Sequence, residues 1–348
     1  MPPTPLRVGL IGYGYAGKTF HAPLIAATPG LQLAGVASSD AAKVRADWPR
    51  VDVAADAQTL IARGDIDLIV IATPNETHAP LAHAALRAGK HVVVDKPFAL
   101  NLDEARELVA AAHACDRLLS VFHNRRWDSD FLGVKQAIAD GRVGRVVHFE
   151  SHIDRYRPDV RRRWREGTGP GAGLWFDLGP HLIDQALQLF GPPARVQANL
   201  AMQRAGALSE DWAHVVLDYA HGLRVILHAG MLVAGASPRF VVHGERGSLV
   251  KREADRQEAQ LKAGIVPGAD GWGVDPDPLR FFDIDATCDI ATPPGDQRRY
   301  YLGVERALRG AGPNPVTPGE ALAVMAVLES ARQSAREGRS VTGVDPGP

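Results

Sequence analysis

The sequence predicts a two-domain α/β protein: an N-terminal, doubly wound parallel sheet followed by an α+β domain built on a mostly antiparallel sheet. Three observations carry that expectation. The chain has 348 residues, and domains usually run to roughly 100–200, so two are expected. Its first third alternates short β-branched runs with helical patterns, the signature of βαβ units. Beyond Phe122 strand-like runs follow one another through short connections, which implies antiparallel neighbours.

Arg7–Ile11 reads as a buried strand and Lys18–Ala27 as a helix. Leu31–Ala37, Asp67–Ala72, His91–Val94 and Leu118–Phe122 read as further strands, separated by helices at Ala41–Trp48, His78–Ala88 and Leu102–Ala114. A boundary near residue 122 divides a first domain, 1–122, from a second, 123–348. In the second, helices are expected at Asp128–Ala139, Phe176–Leu189 and Gly319–Arg336. Strands are expected at Val143–Ile153, Val196–Ala201, His214–Tyr219, Leu223–Gly230, Arg239–Gly244 and Gly247–Lys251. Ala254–Gln297, rich in Asp, Gly and Pro, reads as extended loop.

Composition narrows the function classes. Lys plus Arg total 39 against 40 Asp plus Glu, a net charge of −1, so no global field favours nucleic acid or an anionic membrane. With two cysteines, Cys115 and Cys288, a disulfide framework is not expected, and the usage suits a reducing compartment. No secretory pattern opens the chain, and apolar runs such as Leu68–Ala72 are far shorter than the ~18 residues of a membrane span. A cytoplasmic protein is expected.

Gly12-Tyr13-Gly14-Tyr15-Ala16-Gly17 matches GxGxxG between a strand and a helix, the context that a dinucleotide pyrophosphate needs. Gly12 permits the tight turn, Gly14 the close backbone approach, and Gly17 the packing of helix on strand. The second strand ends in Ser38-Ser39-Asp40, where an NAD site usually places a carboxylate on the ribose. Two serines leave room for a 2′-phosphate, with Lys43 or Arg45 to supply charge. Asp40 opposes that reading, so NADP is favoured over NAD without excluding it. Ala72-Thr73-Pro74-Asn75-Glu76-Thr77-His78 ends the third expected strand, where Thr73 and Asn75 can bond a cofactor and Thr77 or Asn75 can cap the helix, the two roles being compatible.

Val93-Val94-Asp95-Lys96-Pro97 ends the fourth expected strand at the same sheet edge. A lysine there can stabilise an alkoxide, and Pro97 can take the cis form. Asp177 and His181, four apart in Trp175-Phe176-Asp177-Leu178-Gly179-Pro180-His181, share a helix face. Such an Asp orients a general-base histidine, or else it merely caps the helix.

Together these segments resemble the glucose–fructose oxidoreductase / inositol dehydrogenase / MocA family (Gfo/Idh/MocA) across essentially the whole chain. The likeness rests on the Gly-rich loop, Ala72-Thr73-Pro74-Asn75, Lys96-Pro97 and Asp177-Leu178-Gly179-Pro180-His181. Ser120-Val121-Phe122-His123-Asn124-Arg125-Arg126-Trp127, Arg155-Tyr156-Arg157-Pro158 and Arg163-Trp164-Arg165-Glu166 resemble a branch containing NADP-dependent scyllo-inositol dehydrogenases. The resemblance implies hydride transfer between a nicotinamide and a polyol or sugar carbinol, with Lys96, Asp177 and His181 as the catalytic set. It also implies a large, open second sheet that joins copies into dimers or tetramers. Two departures stand out: Asp95 where the family usually has Glu, and Asp40 where the branch can carry a basic residue.

The expected cofactor contacts are the loop from Gly12 to Gly17 with Ser38, Ser39, Lys43, Thr73, Pro74, Asn75, His78, Asp95, Lys96 and Asn124. Lys96, Asn124, Arg155, Tyr156, Trp164, Asp177 and His181 are the expected substrate contacts. Arg125 and Arg126 read more readily as a structural ion-pair site than as a substrate clamp. His148, Glu150 and His152 do not match HExxH, and read as the polar face of a strand, so no metal is expected. Two other functions are alternatives: a dinucleotide-binding regulator without turnover, which predicts loss of the acid–base residues although Lys96, Asp177 and His181 are all present, and redox-assisted glycoside cleavage, in which bound nicotinamide is recycled each turnover.

Overall fold

The computed structural model describes residues 4–344 and Gly347. Its contacts fall into two compact units, the first running through Asn124 and including Gln257–Trp272 and Asp296–Ala321. The second comprises Arg125–Arg256, Gly273–Gly295 and the chain from Leu322.

The chain begins β1 (Leu6–Ile11), α1 (Ala22–Ala26, entered through a wide helical turn at Gly17–His21), β2 (Leu31–Ala37) and α2 (Ala41–Asp47). It continues with β3 (Asp52–Ala54), α3 (Ala57–Ile61), β4 (Leu68–Ile71), α4 (His78–Arg87), β5 (His91–Val94), α5 (Leu102–Ala114) and β6 (Leu119–Val121). These six strands form one parallel sheet in the order β3-β2-β1-β4-β5-β6. Leu68–Ile71 is buried throughout, as a strand covered on both faces must be. Helix starts are fixed by side chains: Asp40, Asp56 and Asn101 accept from the backbone N–H of Lys43, Thr59 and Glu104. The order reverses between β1 and β4, so the crevice for a ligand opens at their carboxyl ends.

Next come α6 (Ser129–Ala139), β7 (Val146–Asp154), α7 (Leu174–Phe190), β8 (Arg195–Ala201), β9 (Trp212–Asp218), β10 (Arg224–Gly230), β11 (Phe240–Gly244) and β12 (Gly247–Lys251). The chain closes with α8 (Gln257–Lys262), β13 (Leu279–Phe282), β14 (Thr287–Ile290), α9 (Arg298–Leu308), α10 (Pro318–Glu337) and β15 (Val341–Thr342). Among the described residues the second sheet has nine strands, ordered β14-β13-β12-β11-β7-β10-β9-β8-β15. Only the central β7–β10 pair is parallel. Its strands alternate: Ala213, Val215 and Leu217 are buried while Trp212, His214 and Val216 take the other face. Helix α7 packs against β7, β9 and β10.

The class expected from sequence is therefore the class observed, with local corrections. β3 and α3 were not foreseen. Ala254–Gln297 is not one extended loop but contains α8, β13 and β14. The buried ammonium of Lys251, 3.1 Å from Asp275 and 2.5 Å from Asp277, anchors that segment. Residues 257–272 and 296–321 pack with the first unit, although the sequence assigned everything after residue 122 to the second. Tyr300 and Tyr301 on α9 explain the return: both are fully buried, against Phe122 and, for Tyr301, His21. No described helix is long and apolar enough to cross a membrane.

Candidate active site

In the first unit the glycine loop follows β1 directly. A Cβ on Gly12, whose φ is +96°, would lie 2.5 Å from the Ala72 carbonyl oxygen. One on Gly17 would lie 2.0 Å from the Gly12 carbonyl oxygen. Both glycines are thus demanded by the protein's own backbone. Gly14 differs, since a Cβ there would meet nothing within 4 Å. Its open side borders a cleft of about 420 Å³ lined by Gly12, Tyr13, Gly14, Ser38, Ser39, Asp40, Lys43 and Thr73, among others. Helical residues begin at Tyr15, so N–H groups and the positive end of the helix dipole follow the loop. The cradle fits a dinucleotide: open at the one glycine where a phosphate would approach, closed at the two that pack.

The side chains of Tyr13 and Tyr15 are otherwise engaged. Tyr13 is buried and donates its hydroxyl to Asp47 at 2.9 Å, and burial pushes that phenol above its ordinary pKa. Tyr15 is held by Glu258 of α8 at 2.5 Å, a neighbour the sequence did not suggest. Asp40, expected to repel a phosphate, spends one oxygen on the Lys43 backbone N–H at 2.9 Å. The Lys43 ammonium donates to the Tyr13 carbonyl at 3.1 Å, which brings its charge to the cleft. Ala55 and Asp56 from the β3–α3 connection, and Ala57 at the start of α3, also line it, elements the sequence did not suggest.

Thr73 reaches the same cleft and accepts a hydrogen bond from the Thr77 hydroxyl at 2.6 Å. Pro74 precedes the turn Asn75–Thr77, and Asn75 is buried. His78 is buried with its two ring nitrogens 2.8 Å from the Pro97 carbonyl and 3.0 Å from the Thr73 carbonyl. It therefore ties the end of β4 to the Lys96–Pro97 peptide, which is cis. Asp95 is buried beneath Lys96 and accepts its backbone N–H at 2.9 Å. Burial raises the Asp95 carboxyl, but His21, Lys96 and His78 outweigh it and hold the pKa below the ordinary value. His21, buried 3.8 Å from Asp95 and 2.6 Å from the Tyr301 hydroxyl, was missed because its partners lie far along the chain. Asn124 donates to Gln297 at 3.0 Å.

In the second unit Gly173, at φ +105°, caps α7; a Cβ there would lie 2.2 Å from Glu210. Asp177 is thus not the cap but sits inside the first turn, with Arg165 3.4 Å away. His181 follows one turn on and is buried. Pro180 between them has no N–H, so the Phe176 carbonyl lacks its usual intrahelical donor. A small cleft beside Asp177 is lined by Arg163, Arg165, Glu166, Arg204 and Glu210, among others. Burial raises the Glu210 carboxyl. Glu166 bonds Arg163 at 2.6 Å and Arg204 at 3.0 Å, and Arg204 also bonds Asp211 at 2.8 Å. Arg155, Tyr156 and Trp164 are not part of that lining. Tyr156 is exposed and bridged to Leu232, Arg155 bonds Gly230 through its backbone, and Trp164 stacks under Arg165. Arg126 pairs with buried Asp184 at 2.6 Å and Arg125 with Asp128 at 3.0 Å, both as structural ion pairs.

Comparison with known proteins agrees with this architecture. Residues 6–123 match an oxidoreductase family's NAD-binding Rossmann fold, and residues 135–342 match the C-terminal alpha/beta domain of the same family, Gfo/Idh/MocA. The chain is 53% identical over 335 residues to the uncharacterized oxidoreductase YdgJ of Escherichia coli, covering 95% of this chain and 96% of that one. It is 36% identical to scyllo-inositol 2-dehydrogenase (NADP(+)) IolW of Bacillus subtilis, covering 97% and 95%. A crystal structure from Klebsiella pneumoniae superposes with a TM-score of 0.92 at 58% identity, covering 98% and 95%.

Proposed function

Because the chain belongs to the Gfo/Idh/MocA oxidoreductase family, we propose that it is a nicotinamide-dependent dehydrogenase acting on a secondary alcohol of a polyol or sugar. An inositol-type ring is the favoured substrate and NADP the favoured cofactor, in keeping with the similarity to the Bacillus subtilis enzyme. The observation that carries this reading is Asp177 one turn before His181 at the start of α7, in a chain whose other unit holds a glycine cradle open at Gly14.

The loop from Gly12 to Gly17, with Ser38, Ser39, Lys43 and Thr73, would hold the dinucleotide. When bound, its nicotinamide supplies a hydride acceptor for the carbinol carbon. His181 takes the hydroxyl proton, and Asp177 favours the protonated ring that results. Lys96 donates to the substrate oxygen and offsets the negative charge that grows there. Two serines after β2 and a lysine whose ammonium reaches the same cleft support the NADP reading.

The test is reduction of NADP or NAD, followed by near-ultraviolet absorbance, with a panel of inositols and monosaccharides. Lys96→Ala and His181→Ala are each expected to lower turnover by about 10²–10⁴-fold with cofactor affinity retained. Unchanged turnover in both would remove the catalytic assignment. Silence across the panel with cofactor bound would favour a regulator without turnover or redox-assisted glycoside cleavage.

A further inference from the structure

The face of the second sheet opposite α7 carries a cluster that the proposed dehydrogenase does not use. His214 on β9, His228 on β10 and His152 on β7 stand in one rung across three adjacent strands, as the pairings His228↔His214 and His228↔His152 require. Asp154 is the next residue on the same face of β7, and its strand partner is Gly230. A Cβ on Gly230 would lie 3.5 Å from both Asp154 Oδ1 and His228 Nε2.

The Asp154 side chain is 3% exposed and neither oxygen makes a hydrogen bond of ordinary length, although, against burial, His152 and the Ser237 hydroxyl both act to hold its carboxyl below the ordinary pKa. The two oxygens lie 3.7 Å from His152 Nδ1 and 3.6 Å from His228 Nε2. Those gaps are too long for hydrogen bonds, which span about 2.7–3.2 Å. They come within a few tenths of the roughly 3.3–3.4 Å that separates two ligands tetrahedrally bound at about 2.0–2.1 Å. His152 Nδ1 is likewise buried with no hydrogen bond of ordinary length, Asp154 being its charged neighbour. Among the described residues, His152, Asp154 and His228 are the group whose ligating atoms all lie within 4.8 Å of one another.

On the far side the His152 ring is committed, and the His228 ring faces a neighbouring imidazole. His152 Nε2 is 2.8 Å from Glu150, whose other oxygen takes His148 at 2.7 Å. His228 Nδ1 is 3.4 Å from His214 Nδ1, and Trp212 stacks on His214. The carboxylate behind His152 holds that ring with Nδ1 toward Asp154, the outer-shell arrangement found behind a metal-bound histidine.

We propose that His152 Nδ1, His228 Nε2 and the Asp154 carboxylate form a binding site for a divalent cation of the zinc class, with a fourth position left to water. Two histidines and one carboxylate are an ordinary ligand set for such an ion. The proposal departs from the sequence reading, which expected no metal in this strand.

Chelator-treated full-length protein, titrated with Zn²⁺ and separately with Co²⁺, tests it through bound metal by atomic emission and the visible d–d bands of cobalt. One saturable equivalent per chain is expected, abolished in Asp154→Ala and His228→Ala. Glu150→Gln should weaken binding by about 10–100-fold. Asp154→Asn, close in shape to the native side chain, guards against a variant that fails to fold, and is also expected to lose the metal. If the wild-type chain takes up no stoichiometric metal, the cluster is a histidine–aspartate ion pair and the proposal falls. Wild-type affinity in both alanine variants would place the metal elsewhere and overturn it equally.

Discussion

Gly14→Ala and Gly17→Ala introduce the same methyl group three residues apart, and the structure predicts opposite consequences. At Gly17 the new Cβ would stand 2.0 Å from the Gly12 carbonyl oxygen. Backbone must move, and forced repacking of this kind costs about 1–3 kcal/mol. At Gly14 the methyl meets nothing within 4 Å. Exposed changes of this kind usually stay within about 0.5 kcal/mol, so folding should be nearly unaffected. The methyl would instead occupy the space through which, on the proposed function, a pyrophosphate would reach the loop. Loss of one charge-assisted bond to phosphate, worth about 1.5–3 kcal/mol, corresponds to roughly 10–150-fold in Kd. Thermal denaturation without ligand and fluorescence titration with NADPH separate the two effects. Gly14→Ala should keep its Tm and lose affinity, whereas Gly17→Ala should lose Tm first. Wild-type affinity in Gly14→Ala would refute the cradle, and an unchanged Tm in Gly17→Ala would refute the packing argument.

Three further outcomes follow from named contacts. Lys43→Ala should weaken NADPH by about tenfold or more, the worth of a charged hydrogen bond, while leaving NADH much less affected; equal losses in parallel titrations would remove Lys43 from 2′-phosphate recognition. Arg126→Met strands the buried Asp184 carboxylate and should cost about 3–5 kcal/mol in urea unfolding, with Arg126→Met/Asp184→Leu regaining much of it; a single variant as stable as wild type would contradict the ion pair. Burial holds the His78 pKa below its ordinary value, so below about pH 6.5 the unfolded chain binds a proton that the folded chain refuses. Stability from this group is complete above that pH and declines as pH falls toward the folded pKa. Tm measured against pH should show a shallower acid slope in His78→Asn, and an identical slope would exclude His78 as a source.

Much of the first unit was legible because its determinants are local. A buried strand, a glycine loop and the helix that follows lie within some thirty residues, and each specifies its neighbour's conformation. The Asp177–His181 spacing was legible for the same reason, since helical geometry alone puts both on one face. β3 escaped notice because it is three residues long with no buried position, and β14 because three of its four residues are exposed. Neither leaves a hydrophobic period to read.

What only the tertiary structure decided are the contacts between residues remote in sequence. His21 meets Tyr301 and Asp95, Glu258 reaches Tyr15, and Gly173 rather than Asp177 caps α7. The sequence shows His152, Asp154 and His228 as alternating polar positions on two strands, which is how a solvated sheet face also looks. Only the parallel pairing of β7 with β10 brings them together across more than seventy residues of chain. Sequence period determines which face a side chain takes; strand order and register determine what it meets there.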